Sequence, residues 1–115
     1  MTTTKDSIFD TPWGRAQHCT QLADGILSYS TASHGGLWIS DQRRAEMPEP
    51  YKSIPTFAGG NWYEEDCDWC LVLLAWPEIN PDLAQEAKAT FEWLKTHSDR
   101  FQHLREPVTA ESEAA

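Results

Sequence analysis

An Asp-Gly step between two extended runs constrains the N-terminal half of this chain more than any other feature. Asp24-Gly25 separates residues 13–22 from residues 26–32. This arrangement predicts a β-hairpin, because glycine reaches the positive φ of a tight turn without a steric penalty. A third short strand follows at 37–39. The sequence therefore predicts a three-stranded antiparallel sheet over residues 13–40.

Two helical patterns occupy the C-terminal half. The first covers 62–76 and is apolar all round from Trp69 onward, as is typical of a buried helix. Asn80 and Pro81 then supply the N-cap and the first position of a second helix that reaches about residue 97. Strands followed by helices favour an α+β fold, with the two C-terminal helices packed on one face of the sheet. We expect these helices to bury Leu71, Leu74, Leu83, Ala87, Phe91 and Leu94.

The chain is expected to form one domain. Its 115 residues are enough for a single core. We expect residues 1–10 to be flexible, 11–106 to form the α+β domain and 107–115 to be a disordered acidic tail. No leader-like apolar segment is present at the N-terminus, and the three cysteines fit a reducing compartment, so the protein is expected in the cytoplasm without membrane contact.

The charge balance limits the possible partners. Asp and Glu total 18 against 9 Lys and Arg, which gives a formal charge of −9. Direct nucleic-acid binding is disfavoured, because a phosphate-binding surface needs clustered Lys and Arg. A basic protein or a nucleoprotein complex is a better match, since opposite charge speeds association.

The strongest local feature is the acidic segment Trp62-Tyr63-Glu64-Glu65-Asp66-Cys67-Asp68-Trp69. Its carboxylates fit three interpretations. They can offset the positive end of a helix dipole in the first turn of the predicted helix. They can hold a hard cation, although such sites usually draw oxygens from several segments. They can also form an anionic surface for a basic partner. We predict no metal and no cofactor.

Cys67 and Cys70 have C-x-x-C spacing within the same segment. The neighbouring acids would raise the pKa of a thiol, whereas redox motifs depend on a lowered one. No second pair of ligands lies at a spacing suited to zinc. Both cysteines are therefore predicted to be small core residues.

His34-Gly35-Gly36 allows two interpretations. The glycines permit a tight turn or a close backbone approach, in which His34 would bond to the backbone. Alternatively, His34 acts as a general base that is oriented by Glu64 or Glu65. No nucleophile elbow, zinc-protease motif, P-loop or dinucleotide motif supports a particular enzyme class.

Residues 30–78 resemble a family of small uncharacterised proteins from phage, plasmid and proteobacterial genomes. The resemblance rests on His34-Gly35-Gly36, the following Leu37-Trp38-Ile39-Ser40 and the later Trp62-Tyr63-Glu64-Glu65-Asp66. It implies a mobile-element setting, where small acidic proteins often inhibit host defence in the manner of anti-CRISPR or anti-restriction proteins. The family has no established activity, so the resemblance implies none for this chain.

Two hypotheses for function follow. The first is a non-enzymatic binding module whose carboxylates occupy a basic surface that normally holds nucleic acid. Its contact surface would comprise Trp38, Glu64, Glu65, Asp66, Asp68 and Trp93. The tryptophans are included because six are more than a small core easily hides, and Trp is enriched at binding hot spots. The second is a small hydrolase-like enzyme that uses His34 with Glu64 or Glu65. A plain structural subunit or a homodimer is a third possibility.

Overall fold

The computed structural model describes residues 10–104 as an α+β fold, and our expectations for 1–9 and 105–115 lie outside this range. The strands are β1 (Asp10–Thr11), β2 (Gly14–Arg15), β3 (His18–Ala23), β4 (Ile26–Ser30), β5 (Gly35–Ile39) and β6 (Trp62–Glu64). The α-helices are α1 (Asp41–Glu46), α2 (Trp69–Ala75) and α3 (Pro81–His97), and 3-10 turns cover Tyr51–Ser53, Pro77–Ile79 and Asp99–Leu104. No helix within 10–104 has the length and apolar character needed to cross a membrane.

The main sheet has the order β3-β4-β5-β6, and all its neighbours are antiparallel. The predicted hairpin is confirmed: β3 and β4 flank Asp24-Gly25, and Gly25 has a φ of 78°. β1 and β2 form a separate two-stranded ribbon that precedes this sheet.

The prediction of three strands was wrong, because residues 62–64 form a fourth strand instead of the start of a helix. Gly59 and Gly60 both have positive φ and return the chain to the edge of β5. Tyr63 is then buried while its two neighbours are half-buried, which is the alternation of a strand. The helix begins only at Trp69. Consequently Glu64, Glu65 and Asp66 precede the helix and do not lie in its first turn.

Side-chain caps fix two of the helices, and the cap of α3 is the one predicted from the sequence. The Ser40 hydroxyl accepts a hydrogen bond from Arg43 N at the start of α1. The Asn80 side chain accepts one from Leu83 N at 3.1 Å, and Pro81 is the first residue of α3. Each cap satisfies a backbone donor that has no partner within its helix.

The hydrophobic core lies between one face of the sheet and the helices, and we call this the helical side. Strand residues Ile26, Leu37, Ile39 and Tyr63 pack there against α2, with α3 behind. Of the expected core positions, Leu71, Ala87 and Leu94 are buried. Leu74, Leu83 and Phe91 are only half-buried and flank this cluster.

The other face of the sheet, opposite the hydrophobic core, carries aromatic side chains. The strand register and the alternation of side chains place Leu27, Tyr29, Trp38 and Trp62 on this side. Trp13 packs edge-on against Trp62, with ring centroids 5.6 Å apart, and Tyr29 lies 5.3 Å from Trp62. We call the surface formed by Trp13, Trp38 and Trp62 the aromatic face.

Gly36 is the position where the aromatic face touches the backbone most closely. A Cβ on this residue would lie 2.5 Å from a ring carbon of Trp13 and would also overlap the Tyr63 carbonyl oxygen. Only glycine fits between these groups, so the second glycine of His34-Gly35-Gly36 has a packing role.

Gly36→Ala should lower the free energy of unfolding by about 1–3 kcal/mol, because the new methyl group forces Trp13 and β6 apart. Urea denaturation followed by tryptophan fluorescence measures this change. Ser33→Ala, at an exposed position in the adjacent turn, is the control and should alter stability by less than about 0.5 kcal/mol. Equal effects from both variants would refute the packing role of Gly36.

Candidate functional site

The carboxylates Glu64, Glu65 and Asp66 form a turn at the end of β6, which we call the acidic turn. Glu64 pairs with Gly36 across the sheet and follows Trp62 on the aromatic face. Glu65 N donates to the Gly35 carbonyl at 3.0 Å, which fixes the turn against β5. Glu65 and Asp66 are exposed, and Glu64 is half-buried. The turn therefore presents three carboxylates at one end of the sheet.

His34 lies beside this turn. Single ligating atoms of His34, Glu65 and Asp66 all lie within 4.8 Å of one another. The structure thus brings His34 to Glu65, one of its two suggested partners. All three side chains are exposed, so water solvates them and weakens any charge pairing among them.

The backbone around His34 forms the turn that was predicted as one alternative. The Thr31 hydroxyl donates to the His34 carbonyl at 2.6 Å, and His34 N donates to Thr31 Oγ1 at 3.0 Å. Thr31 N also donates to the His34 carbonyl at 2.7 Å. These hydrogen bonds fix the backbone of the β4–β5 loop. They use backbone atoms of His34 and do not involve its imidazole ring.

Gly35 makes room for Glu65. A Cβ on Gly35 would lie 3.2 Å from Glu65 Oε2 and 2.5 Å from the Tyr29 carbonyl oxygen. The carboxylate of Glu65 therefore lies close to the backbone of Gly35, which has no side chain in the way. Both glycines of the motif are explained by close approach, which was the structural interpretation of His34-Gly35-Gly36.

Glu64 is the carboxylate whose ionisation the fold perturbs. Its pKa is raised, first by partial burial and then by the nearby charge of Asp66, while His34 acts in the opposite direction. The folded protein therefore carries an electrostatic cost when Glu64 is ionised, and a nearby external cation would reduce that cost.

Asp68 does not belong to the exposed surface on which it was predicted. Its side chain is completely buried and forms a salt bridge with Arg100 at 2.9 Å. Its other oxygen accepts a hydrogen bond from Phe57 N at 2.7 Å. A buried carboxylate needs such partners, because its desolvation is otherwise unfavourable. The prediction that Asp68 belongs to the contact surface is therefore wrong.

Arg100 is the partner that sequence reasoning missed. Besides Asp68, its guanidinium donates to the Pro55 carbonyl at 2.8 Å. It also lies 5.4 Å from the centre of the Phe101 ring. Arg100 follows α3 and has no local pattern that links it to the acidic segment, so only the three-dimensional fold pairs it with Asp68.

Cys67 and Cys70 behave as predicted for core-associated residues. Burial, followed by the charge of Asp68, raises the pKa of Cys67 to about 11 and that of Cys70 to about 12. Cys70 is fully buried, and Cys67 is half-buried beside Glu64 and Arg100. Both thiols are free, so neither forms a disulfide.

Trp38 and Trp93 lie on different sides of the sheet. Trp38 is a half-buried part of the aromatic face, opposite Trp62 in the strand register. Trp93 lies on α3, on the helical side, with 58% of its surface exposed and its ring stacked on His97 at 4.2 Å. The two tryptophans therefore do not form one contact surface.

The aromatic face includes two tryptophans that were not predicted as binding residues. Trp13 and Trp62 join Trp38 next to the acidic turn. Trp62 could have been recognised from the alternation of Trp62, Tyr63 and Glu64, which is a strand pattern. Trp13 has no such sequence signal, because its partner in β6, Trp62, lies far from it in the sequence.

Residues 6–115 match the family described as a domain of unknown function (DUF7007). The chain belongs to this family. No match is found among curated proteins or among solved structures. DUF7007 membership agrees with the resemblance to an uncharacterised family and assigns no activity, so the function has to be argued from the described side chains.

Asp68→Asn should lower the free energy of unfolding by about 2–4 kcal/mol, because the charge of Arg100 loses its buried partner. Asp66→Asn makes the same chemical change two residues away at an exposed position and should cost less than about 0.5 kcal/mol. Chemical denaturation measures both. A small effect of Asp68→Asn would show that the salt bridge does not stabilise the fold.

The thiols of Cys67 and Cys70 should resist alkylation in the native protein. With a pKa of about 11, only roughly a thousandth of Cys67 is thiolate at pH 8. Iodoacetamide labelling followed by peptide mass spectrometry should give slow modification of both, and rapid modification in urea. Fast labelling of the folded chain, or a Cys67–Cys70 disulfide in a glutathione buffer, would contradict this assignment.

Proposed function

We propose that the chain is a non-enzymatic binding module that recognises a basic protein surface through its aromatic face and acidic turn. One observation carries the proposal: the strand register puts Trp38 and Trp62 on the sheet face opposite the hydrophobic core, next to Glu64. Indole rings attract Lys and Arg through cation–π contacts, and carboxylates attract them through ion pairs.

The electrostatics support the same partner chemistry. A formal charge of −9 attracts a basic surface over long distances and raises the rate of encounter. The raised pKa of Glu64 indicates a carboxylate that gains from a cation brought close to it. Glu65 and Asp66 extend the anionic surface from the edge of the aromatic face, and Trp93 is a separate exposed anchor on α3.

The finer proposal concerns the biological setting. In the cytoplasm of a bacterium that carries a mobile element, the acidic turn would occupy a Lys and Arg groove that otherwise holds nucleic-acid phosphates. The chain would then inhibit a host defence complex in the manner of anti-CRISPR or anti-restriction proteins. The absence of a basic cluster in the sequence favours binding to the protein over binding to the nucleic acid itself.

A second candidate is a hydrolase-like enzyme, which the proximity of His34 to Glu65 and Asp66 favours. The exposure of all three groups argues for the binding module, because general acid–base catalysis profits from groups held in a desolvated site. His34→Ala separates the two: it leaves binding intact under our proposal, and it abolishes turnover if the chain is an enzyme.

The test uses a host protein captured by the immobilised chain from a lysate and then purified. Glu64→Gln with Asp66→Asn should slow its association by about threefold to tenfold and flatten the salt dependence of the rate. Glu78→Gln with Glu86→Gln removes the same charge from exposed positions on the helical side and is the matched control. Surface plasmon resonance at two salt concentrations measures both.

Trp38→Ser provides the second arm of the test. It should speed dissociation, because it removes aromatic contact area and leaves the charge unchanged. If Glu64→Gln with Asp66→Asn and Trp38→Ser both associate and dissociate as the native chain does, the proposal fails. If the captured protein is a second copy of the chain, the aromatic face is a dimer interface, and the basic-partner proposal fails as well.

A further inference from the structure

A groove of about 310 Å³ opens on the helical side of the sheet, away from the aromatic face. This volume lies near the lower end of ordinary binding sites. Apolar side chains form most of its walls, and serine hydroxyls and one carboxylate supply polar groups. The lining comprises Leu22, Leu37, Trp69, Leu73 and Leu83, together with Ser28, Tyr29, Ser30, Gly36 and Glu65.

The groove exists because the helices cover only part of this face. α2 packs over β5 and β6, where the core residues are large. On β4, Ser28 and Ser30 share the face of the buried Ile26, but their small side chains stay half-buried. Leu22, at the sheet edge formed by β3, keeps 37% of its surface exposed. The result is an apolar channel between strand and helix with an open rim.

Glu65 gives this channel a charged end. Its carboxylate also belongs to the cluster with His34 and Asp66, so the channel leads into the acidic turn. Within residues 10–104, no Lys or Arg forms a salt bridge with Glu65 or Asp66. The close approach that Gly35 permits holds the Glu65 carboxylate against the strand. A cation at this end would therefore meet carboxylates that no Lys or Arg of residues 10–104 neutralises.

We propose that this groove seats a large apolar side chain of the basic partner, from a segment in which Lys or Arg directly flanks that residue. The inference rests on the proposed function and specifies the segment that the partner contributes. The apolar walls favour a Leu-sized side chain, because its burial removes apolar surface from water. Glu65 and Asp66 then match the adjacent cation. A basic segment without an apolar residue leaves the groove unfilled, and a neutral apolar segment leaves the carboxylates unmatched.

Three synthetic peptides test this chemistry. The first is Gly-Ser-Arg-Leu-Arg-Ser-Gly, the second replaces its Leu by Ala, and the third replaces both Arg by Gln. Titration of the isotope-labelled full chain, followed by amide NMR, measures affinity and location together. The first peptide should bind about tenfold more tightly than the second, and its largest shifts should fall at Ser28, Ser30 and Leu83. The third should bind more weakly than the first.

Ser28→Leu fills the groove and should abolish the preference for Leu over Ala while keeping the charge-driven affinity. If that variant does not fold, Leu22→Ser at the groove rim gives the same readout and should reduce the preference. Phe57→Ser removes an apolar side chain that is 71% exposed outside the groove, and it is the matched control. It should leave the preference unchanged.

The outcomes separate this inference from the function on which it rests. If the Leu and Ala peptides bind equally, and Glu64→Gln with Asp66→Asn weakens both, the groove inference is overturned and the basic-partner proposal stands. If the uncharged peptide binds as well as the first, the groove takes a neutral segment and the inference fails. If no peptide binds, both proposals fail.

Discussion

The buried salt bridge between Asp68 and Arg100 holds together three parts of the chain that are distant in sequence. Asp68 precedes α2, Arg100 follows α3, and Phe57 lies in the long loop between α1 and β6. Because the carboxylate is fully buried, it needs the guanidinium and the backbone donor together. This requirement fixes where α2 begins, and hence where the acidic turn must end. The acids before it are then left at the surface.

The sheet separates two surfaces with different chemistry, and both meet at the acidic turn. On one side Gly36 allows Trp13 to reach the backbone, so indole rings pack on the strand face opposite the core. On the other side the short α2 leaves the serines of β4 uncovered and a groove open. Because Gly35 has no side chain, the carboxylate of Glu65 lies close to β5, where these two surfaces meet. Small residues therefore determine where side chains approach the backbone closely and where the sheet stays open.

Local signals predicted the elements that local interactions form. The turn at Asp24-Gly25 and the Asn80-Pro81 start of α3 each depend on residues within one turn of the chain. The strand at Trp62 was missed because its acids resemble a helix start, and its pairing with β5 is a long-range contact. The sequence therefore predicts the α+β class and not the fourth strand.

The candidate site, like the fold, could be predicted only in part from the sequence. That Glu65 lies near His34 was anticipated as a possibility, and the close approach at the two glycines was one of the alternatives. The role of Asp68 was not predictable, because its partner lies 32 residues away and nothing near either residue indicates the pairing. A carboxylate in an acidic run looks the same in sequence whether it is buried or exposed. Only burial separates Asp68 from its neighbours.

We propose that the acidic turn is a binding surface, whereas the buried Asp68 is a structural group. Carbon-13 NMR of the side-chain carboxyl groups, recorded while an Arg-rich peptide is added to the full chain, tests this most directly. We expect the carboxyl signals of Glu64, Glu65 and Asp66 to shift together with one affinity, and the signal of Asp68 to stay in place. Shifts that fall instead on helix carboxylates such as Glu78 and Glu86, or on Asp68, would contradict it.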